Sequence, residues 1–362
     1  MLHLMADQVF NDMAIRELEH AAPGMHRYGI LAPALRKTTY SRVELFTQAQ
    51  AKQALRQPGV DVVVFHSLPP AWYHLLRAVP NHMRTVWIGM GFDYYSLLPD
   101  PLVLPKTRNL VPPSRRAALR AALLKAYLNV GFGPFPSLQS ALRRVDYFAP
   151  VLNTEFDLVQ KHFPLKAHYI DWNYGSIEDD FQPSTTDSTD EAIHVLVGNS
   201  AYETNNHVEV LDALSGHPNL GSAKIYVPLS YGRPHYRDAV VRYGRDLLGD
   251  SFHPLTDFVP IQQYNAVIAS CGFVIMNHLR QQGLGNVITA MLAGAKVYLN
   301  PLNPLYTWLA DRGAHLGTTD RIDLIPLTDR ERATNVAVVT AHWSQVAQRD
   351  RVAAFVAQLQ IG

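Results

Sequence analysis

The chain has 362 residues, 48% of them apolar and 17% charged, with a formal net charge of +1. That length favours two domains, since single hydrophobic cores stop growing near ~250–300 residues. The near-neutral balance excludes a general nucleic-acid binder, whose footprint is strongly basic. Cys271 is the only cysteine, which excludes an intramolecular disulfide and a thiolate-cluster metal site and fits a reducing compartment.

From the start, Met1–Asp7 shows neither a basic region nor a long apolar stretch, so no signal peptide is expected. No run reaches the ~20 apolar residues that span a bilayer. The expected location is the cytoplasm, with contact to a membrane only from its inner face. Strands are then expected at Val60–Phe65, Thr85–Met90, Tyr147–Val151, His194–Val197, Lys224–Pro228, Phe273–Met276 and Lys296–Leu299. They read as continuous apolar runs, the pattern of parallel strands covered on both faces. Between them lie helical patterns at Thr154–His162, His207–Leu214, Tyr236–Leu248, Ile261–Ser270 and Val287–Leu292. Such alternation predicts a doubly wound α/β architecture. The polar stretch Asp179–Glu191 has no apolar period and reads as a linker. The expected division is therefore a first domain over 1–178, a linker over 179–191 and a second domain over 192–332. The helical segment 333–362 is expected to return to the first domain.

Two loops of the second domain carry the chemistry. Gly198-Asn199-Ser200 ends a strand and precedes a helix capped by Asn205 or Asn206, which predicts free backbone N–H groups where a diphosphate binds. The bland alternative is an ordinary strand–helix turn. Arg280-Gln281-Gln282-Gly283-Leu284-Gly285 opens a second helix, with Asn286 and Thr289 on its first turns. There the helix dipole and the Arg280 guanidinium both favour phosphate oxygens. In the first domain, Asp93 follows a strand between glycine and tyrosine. It is a candidate general base for an attacking hydroxyl, with a helix-cap or orienting role as the alternative. Asp7, His66 and Tyr95 are candidates for holding the acceptor, although His66 reads more readily as a satisfied structural histidine. The segment Pro101–Arg144 holds eight Lys and Arg residues, Arg115, Arg116 and Arg120 among them, interleaved with apolar ones and without any acid. That pattern suits an anionic membrane surface, or else a solvated basic face. No metal-ligand spacing is present.

With these residues in view, the chain resembles the TDP-N-acetylfucosamine:lipid II N-acetylfucosaminyltransferases of enterobacterial common antigen assembly. The resemblance rests on Leu196–Ser200 followed by Asn206-His207, on Val227-Pro228 with Tyr231-Gly232, and on Arg280–Gly285. It runs on through Ala293-Gly294, Leu299-Asn300 and Asn303-Pro304, with weaker echoes at Phe65-His66, Trp72 and Gly91–Tyr95. It implies a GT-B fold of two Rossmann-like domains that needs no metal or other cofactor. The donor would be a TDP-linked 4-acetamido-4,6-dideoxyhexose in the second domain, with Tyr231 among its contacts. The acceptor would be a polyprenyl-diphosphate glycan. Many retaining GT-B enzymes carry a ribose-binding glutamate where this chain has Thr289. Its loss is compatible with a deoxyribose and leaves the stereochemical course open. A GT-B-fold epimerase and a non-catalytic nucleotide-sugar scaffold are the rival classes.

Overall fold

The computed structural model describes residues 1–95, 98, 101–112, 119, 122, 123, 126, 138–163, 165–181 and 194–360. Arg115, Arg116 and Arg120 lie outside the described residues, as do positions 182–191 of the expected linker and 192–193 after it. The chain divides into two compact units. One comprises Met1–Pro99, Arg115–Gly175 and Gln345–Gly362, the other Asp100–Ser114 and Ser176–Ser344.

In the first unit seven strands form one parallel sheet: β1 (Leu2–Met5), β2 (Arg27–Ile30), β3 (Val43–Leu45), β4 (Val62–His66), β5 (Arg84–Ile88), β6 (Tyr147–Ala149) and β7 (His168–Tyr169). Their order is β3-β2-β1-β4-β5-β6-β7. The chain starts in the middle, winds outward through β2 and β3, then returns to β4 on the other side of β1. The second unit repeats this plan with β8 (His194–Val197), β9 (Ile225–Pro228), β10 (Phe252–Leu255), β11 (Cys271–Met276), β12 (Lys296–Leu299) and β13 (Gly317–Thr318). Its order is β10-β9-β8-β11-β12-β13, again all parallel. Each sheet thus has one switch point, between β1 and β4 and between β8 and β11. Ligands of open α/β sheets bind there, outside the carboxyl ends of the strands.

The expected strands are present, but β1, β2, β3, β7, β10 and β13 were not legible. They are two to four residues long, and the central β1 carries a histidine in an otherwise apolar run. The boundaries also differ from expectation. Residues 100–114 belong to the second unit, where Leu104 N–H donates to Asn206 Oδ1 at 2.8 Å and Thr107 N–H donates to Glu209 at 3.0 Å. Asp179–Phe181, expected in the linker, is part of the helical turn Ile177–Phe181. The expected single helical stretch is two helices, Asp329–Trp343 and Gln345–Gln360, broken at Ser344 where ψ reaches 155°. A capping box of Thr328 and Glu331 starts the first. The second sends Val352, Phe355, Val356 and Leu359 into a core with Met5, Tyr28, Val64 and Ile88 of the first sheet. Each such side chain contributes ~1.5–3 kcal/mol by leaving water.

No helix among the described residues is long and apolar enough to cross a membrane. Nor do the described residues bring together a group of His, Cys, Asp and Glu suited to a metal ion.

Candidate functional site

At the switch point of the second sheet the β8 loop is held by its own amides. Gly198 turns the chain at φ +70°, and a Cβ there would meet Asn205 Oδ1 and His207 Nε2 at 2.7 Å each. Only glycine fits that turn. The N–H groups of Gly198, Asn199 and Ala201 are committed, to Ile275 O at 2.9 Å, Asn205 Oδ1 at 2.8 Å and Tyr231 O at 2.7 Å. This corrects the expectation that the loop offers them to a ligand: the asparagine that was to cap the next helix takes the central one. Asn205 Nδ2 donates to Ser200 Oγ at 3.1 Å and to the Tyr202 carbonyl at 3.0 Å. Asn206 adopts a left-handed φ of 52° and donates from Nδ2 to the Asn277 carbonyl at 2.8 Å, tying the β8 loop to the β11 loop.

The β11 loop closes the same crevice. Gln282 Nε2 donates to Asn199 Oδ1 at 3.0 Å, while Gln282 Oε1 accepts from Thr204 Oγ at 2.9 Å. Gln282, Asn199, Ser200 and Asn205 therefore form one amide-rich lining, with Asn199 Nδ2 reaching Tyr231 OH at 3.3 Å. Arg280 is half-buried and Gln281 buried in the loop just before. Gly283, at φ +70°, caps the helix Leu284–Leu292 and has no side chain with which to bond the first turn. That turn leaves backbone N–H groups without intrahelical partners, and Arg280 precedes it in the same loop.

Three positions expected at the donor are engaged by the protein itself. Gly285 packs against the ring of Phe181, which a Cβ would approach at 3.2 Å. Thr289 is buried and donates to the Phe181 carbonyl at 3.2 Å, so its hydroxyl is spent on the turn Ile177–Phe181 and not on a ribose. Asn286 Nδ2 donates to Tyr264 OH at 2.7 Å. Sequence reading also missed two residues of this crevice, His207 and His278, both fully buried. His207 stands in the Asn206-His207 pair that carries part of the resemblance, at the start of the helix after β8, whereas the only signal for His278 is its position just after β11.

The first sheet's edge corrects the reading of Asp93. Its carboxylate is 2% exposed. Oδ2 accepts Leu68 N–H and Trp87 Nε1–H, both at 2.8 Å, and Oδ1 accepts Met90 N–H at 3.0 Å. Burial raises its pKa against the pull of those hydrogen bonds. A carboxylate so buried ties the β4 loop to the β5 loop, and three of its roughly four acceptor sites are taken by the protein itself. Tyr95 is likewise buried, and its hydroxyl and that of Tyr94 both donate to Glu155 Oε1, at 2.7 and 2.8 Å. Asp7 accepts from the N–H groups of Arg36, Lys37 and Thr38. Burial pushes its carboxyl up, and those bonds together with the Thr38 hydroxyl outweigh it and lower it. His66 ends β4 inside a buried chain: Nε2 lies 3.0 Å from His3 Nδ1, Nδ1 lies 3.1 Å from Tyr174 OH, and His3 Nε2 lies 2.9 Å from His26 Nδ1. Burial pushes His66 down to about 3.

Two parallel sheets of one shared strand order, the second with a polar crevice and an arginine at its switch point, define the GT-B fold of two Rossmann-like domains. Three solved structures share it. Anabaena HepE, solved with UDP-glucose, is 13% identical with a TM-score of 0.63, covering 99% of this chain and 100% of that one. The trehalose 6-phosphate synthase of Burkholderia multivorans is 11% identical with a TM-score of 0.62, over 99% and 96%. WaaG, a glycosyltransferase involved in lipopolysaccharide biosynthesis, is 11% identical with a TM-score of 0.56, over 100% and 96%. Residues 149–351, more than half of the chain, match the family described as 4-alpha-L-fucosyltransferase, glycosyl transferase group 56. The chain belongs to that family and is a glycosyltransferase.

Proposed function

We propose that the enzyme transfers a 4-acetamido-4,6-dideoxyhexose from a thymidine diphosphate donor to a polyprenyl-diphosphate glycan at the inner face of the plasma membrane. The observation that carries the donor half is the crevice between β8 and β11. Its amide lining is pre-set by Asn205, Asn206 and Gln282, and Arg280 lies in the loop that leads to a glycine-started helix. A rigid polar lining with a fixed cation suits a diphosphate whose charge grows as the glycosidic bond breaks. That charge arrangement asks for no metal or other cofactor. The HepE fold relative has been solved with UDP-glucose, and with UDP and glucose.

The thymidine base and the deoxysugar rest on the resemblance of Leu196–Ser200 and Arg280–Gly285. The absence of a glutamate at Thr289 stays compatible with a deoxyribose, while the Thr289 hydroxyl itself is engaged with Phe181. A thermal-shift series with TDP, UDP, GDP and ADP at equal concentration tests the base, since a ligand that binds only the folded chain stabilises it by RT ln(1 + [L]/Kd). TDP is expected to give the largest shift; a clearly larger one with UDP or GDP sinks the thymidine assignment. The membrane half rests on the acid-free basic and apolar composition of Pro101–Arg144. Binding to anionic vesicles should weaken with salt and fall when Arg115, Arg116 and Arg120 become Ser. Salt-independent binding would remove that surface.

A further inference from the structure

The crevice contains a buried group that diphosphate binding by Arg280 and the amide lining leaves without a role. His278 follows β11 directly, in the loop that leads to Arg280, and its Nε2 lies 3.0 Å from Asn205 Oδ1. The Asn205 amide has only one possible orientation. Oδ1 accepts the Asn199 backbone N–H and Nδ2 donates to the Tyr202 carbonyl; a backbone N–H only donates and a carbonyl only accepts. His278 Nε2 is therefore the protonated nitrogen. In the neutral ring Nδ1 then carries a bare lone pair, and that atom is buried without a hydrogen-bond partner. Burial, then the charge of Arg280, then His207 hold the ring well below the ordinary imidazole range, so it is neutral in the free protein. An unmet buried acceptor is costly, and such groups are rare enough to demand a reason.

We propose that His278 is a proton-linked phosphate-binding group: it takes up one proton as a nucleoside diphosphate binds, and its new Nδ1–H donates to a phosphate oxygen. The inference rests on the diphosphate reading of this crevice and gives that site a regulation by pH. The proton comes from solvent, Nε2–H stays on Asn205, and no bond to carbon changes in the step. Phosphate charge attracts the imidazolium and also neutralises Arg280, the cation that opposes it in the free protein. His207, on the helix His207–Leu214, is the other titratable group acting on the ring. It also has a buried ring nitrogen without a partner, Nε2, while Nδ1 lies 2.9 Å from Tyr236 OH. It is the competing seat for the proton, and its own mate there, Gly198, offers only backbone. Because the ring's pKa starts low and rises in the complex, diphosphate affinity falls as pH rises through the window between the two values, by up to about tenfold per pH unit.

Calorimetry with TDP in two buffers of different ionisation enthalpy counts the protons taken up. At pH 7 the terminal phosphate, with its pKa of about 6, is already mostly ionised and adds little. The wild-type chain should take up about one proton more than His278→Gln, whose amide still donates toward Asn205 but does not titrate. His207→Gln should keep the uptake. TDP binding without uptake, or uptake that survives in His278→Gln and vanishes in His207→Gln, overturns the proposal. If His278→Gln does not fold, the wild-type affinity between pH 6 and 8 decides, and a flat or rising profile overturns it. Failure of TDP to bind the wild-type chain at all instead breaks the diphosphate reading, and the His278 role with it.

Discussion

The two sheets share a strand order, yet the edges where ligands would bind are built from opposite materials. In the second unit the loops after β8 and β11 carry neutral amides from Asn199, Asn205 and Gln282, with Arg280 in the β11 loop and a Glu203–Arg233 ion pair at the β8 loop. In the first unit the loops after β4 and β5 are held together by the Asp93 carboxylate, and Glu155 anchors Tyr94 and Tyr95 behind them. Three of its histidines, the half-buried His26 and the buried His3 and His66, are linked in one chain. The same topology thus sets its loops with neutral amides bonded to one another in one unit, with Arg280 in the adjoining loop, and with buried carboxylates in the other. A residue's place at a strand's carboxyl end is therefore not enough to make it chemical; what decides is whether its polar atoms are already taken.

The largest expected effect concerns the histidines. Burial pushes His66 and His207 down to about 3, His26 to about 4, and His3 and His278 well below the usual range. In the unfolded chain each titrates near 6.5. The folded state therefore binds fewer protons between those values, so stability is fully present above pH ~6.5 and is lost as pH falls toward 4 and 3. Each fully buried ring contributes up to about 1.4 kcal/mol per pH unit in that window, and the half-exposed His26 contributes less. Urea denaturation at pH 7.0 and 5.5 should show a loss of several kcal/mol, with the first unit, which holds His3, His26 and His66, failing at the lower denaturant concentration. Equal midpoints at the two pH values would mean that these rings are not neutral in the fold.

Next comes Asp93→Asn. The amide places an NH2 against at least one of the N–H groups of Leu68, Trp87 and Met90, whichever way it turns. A cost of about 2–4 kcal/mol in unfolding free energy is expected, the scale of buried donors left unmet. TDP affinity should not change, because the hydrogen bonds that Asp93 makes all lie in the first unit. Full stability with a collapse of kcat would instead restore Asp93 as a base and reverse the comparison between the two edges.

Much of the second unit was legible because its signals are local. Gly198 and Gly283 stand where left-handed backbone is required, and each falls between an apolar run and a helix. The partners that decide a side chain's role are not local. Asp93 meets Leu68 from 25 residues away, and Thr289 meets Phe181 from 108 away. No spacing in the sequence announces such pairs, so both residues were read as open to substrate. The short β1 was hidden for another reason: four buried residues with a histidine among them give neither length nor period to detect. The crossing of residues 100–114 into the second unit depends on Asn206 and Glu209, whose bonding to Leu104 and Thr107 only the fold brings about.

The central claim is that the β8–β11 crevice holds the donor's diphosphate against Arg280. Calorimetry of TDP with the wild-type chain and with Arg280→Ala, each shown to be folded, tests it most directly. Removing the guanidinium should weaken binding by about 1.5–3 kcal/mol, the worth of a charge-assisted hydrogen bond. Equal affinity in the two proteins would place the diphosphate elsewhere and contradict the account.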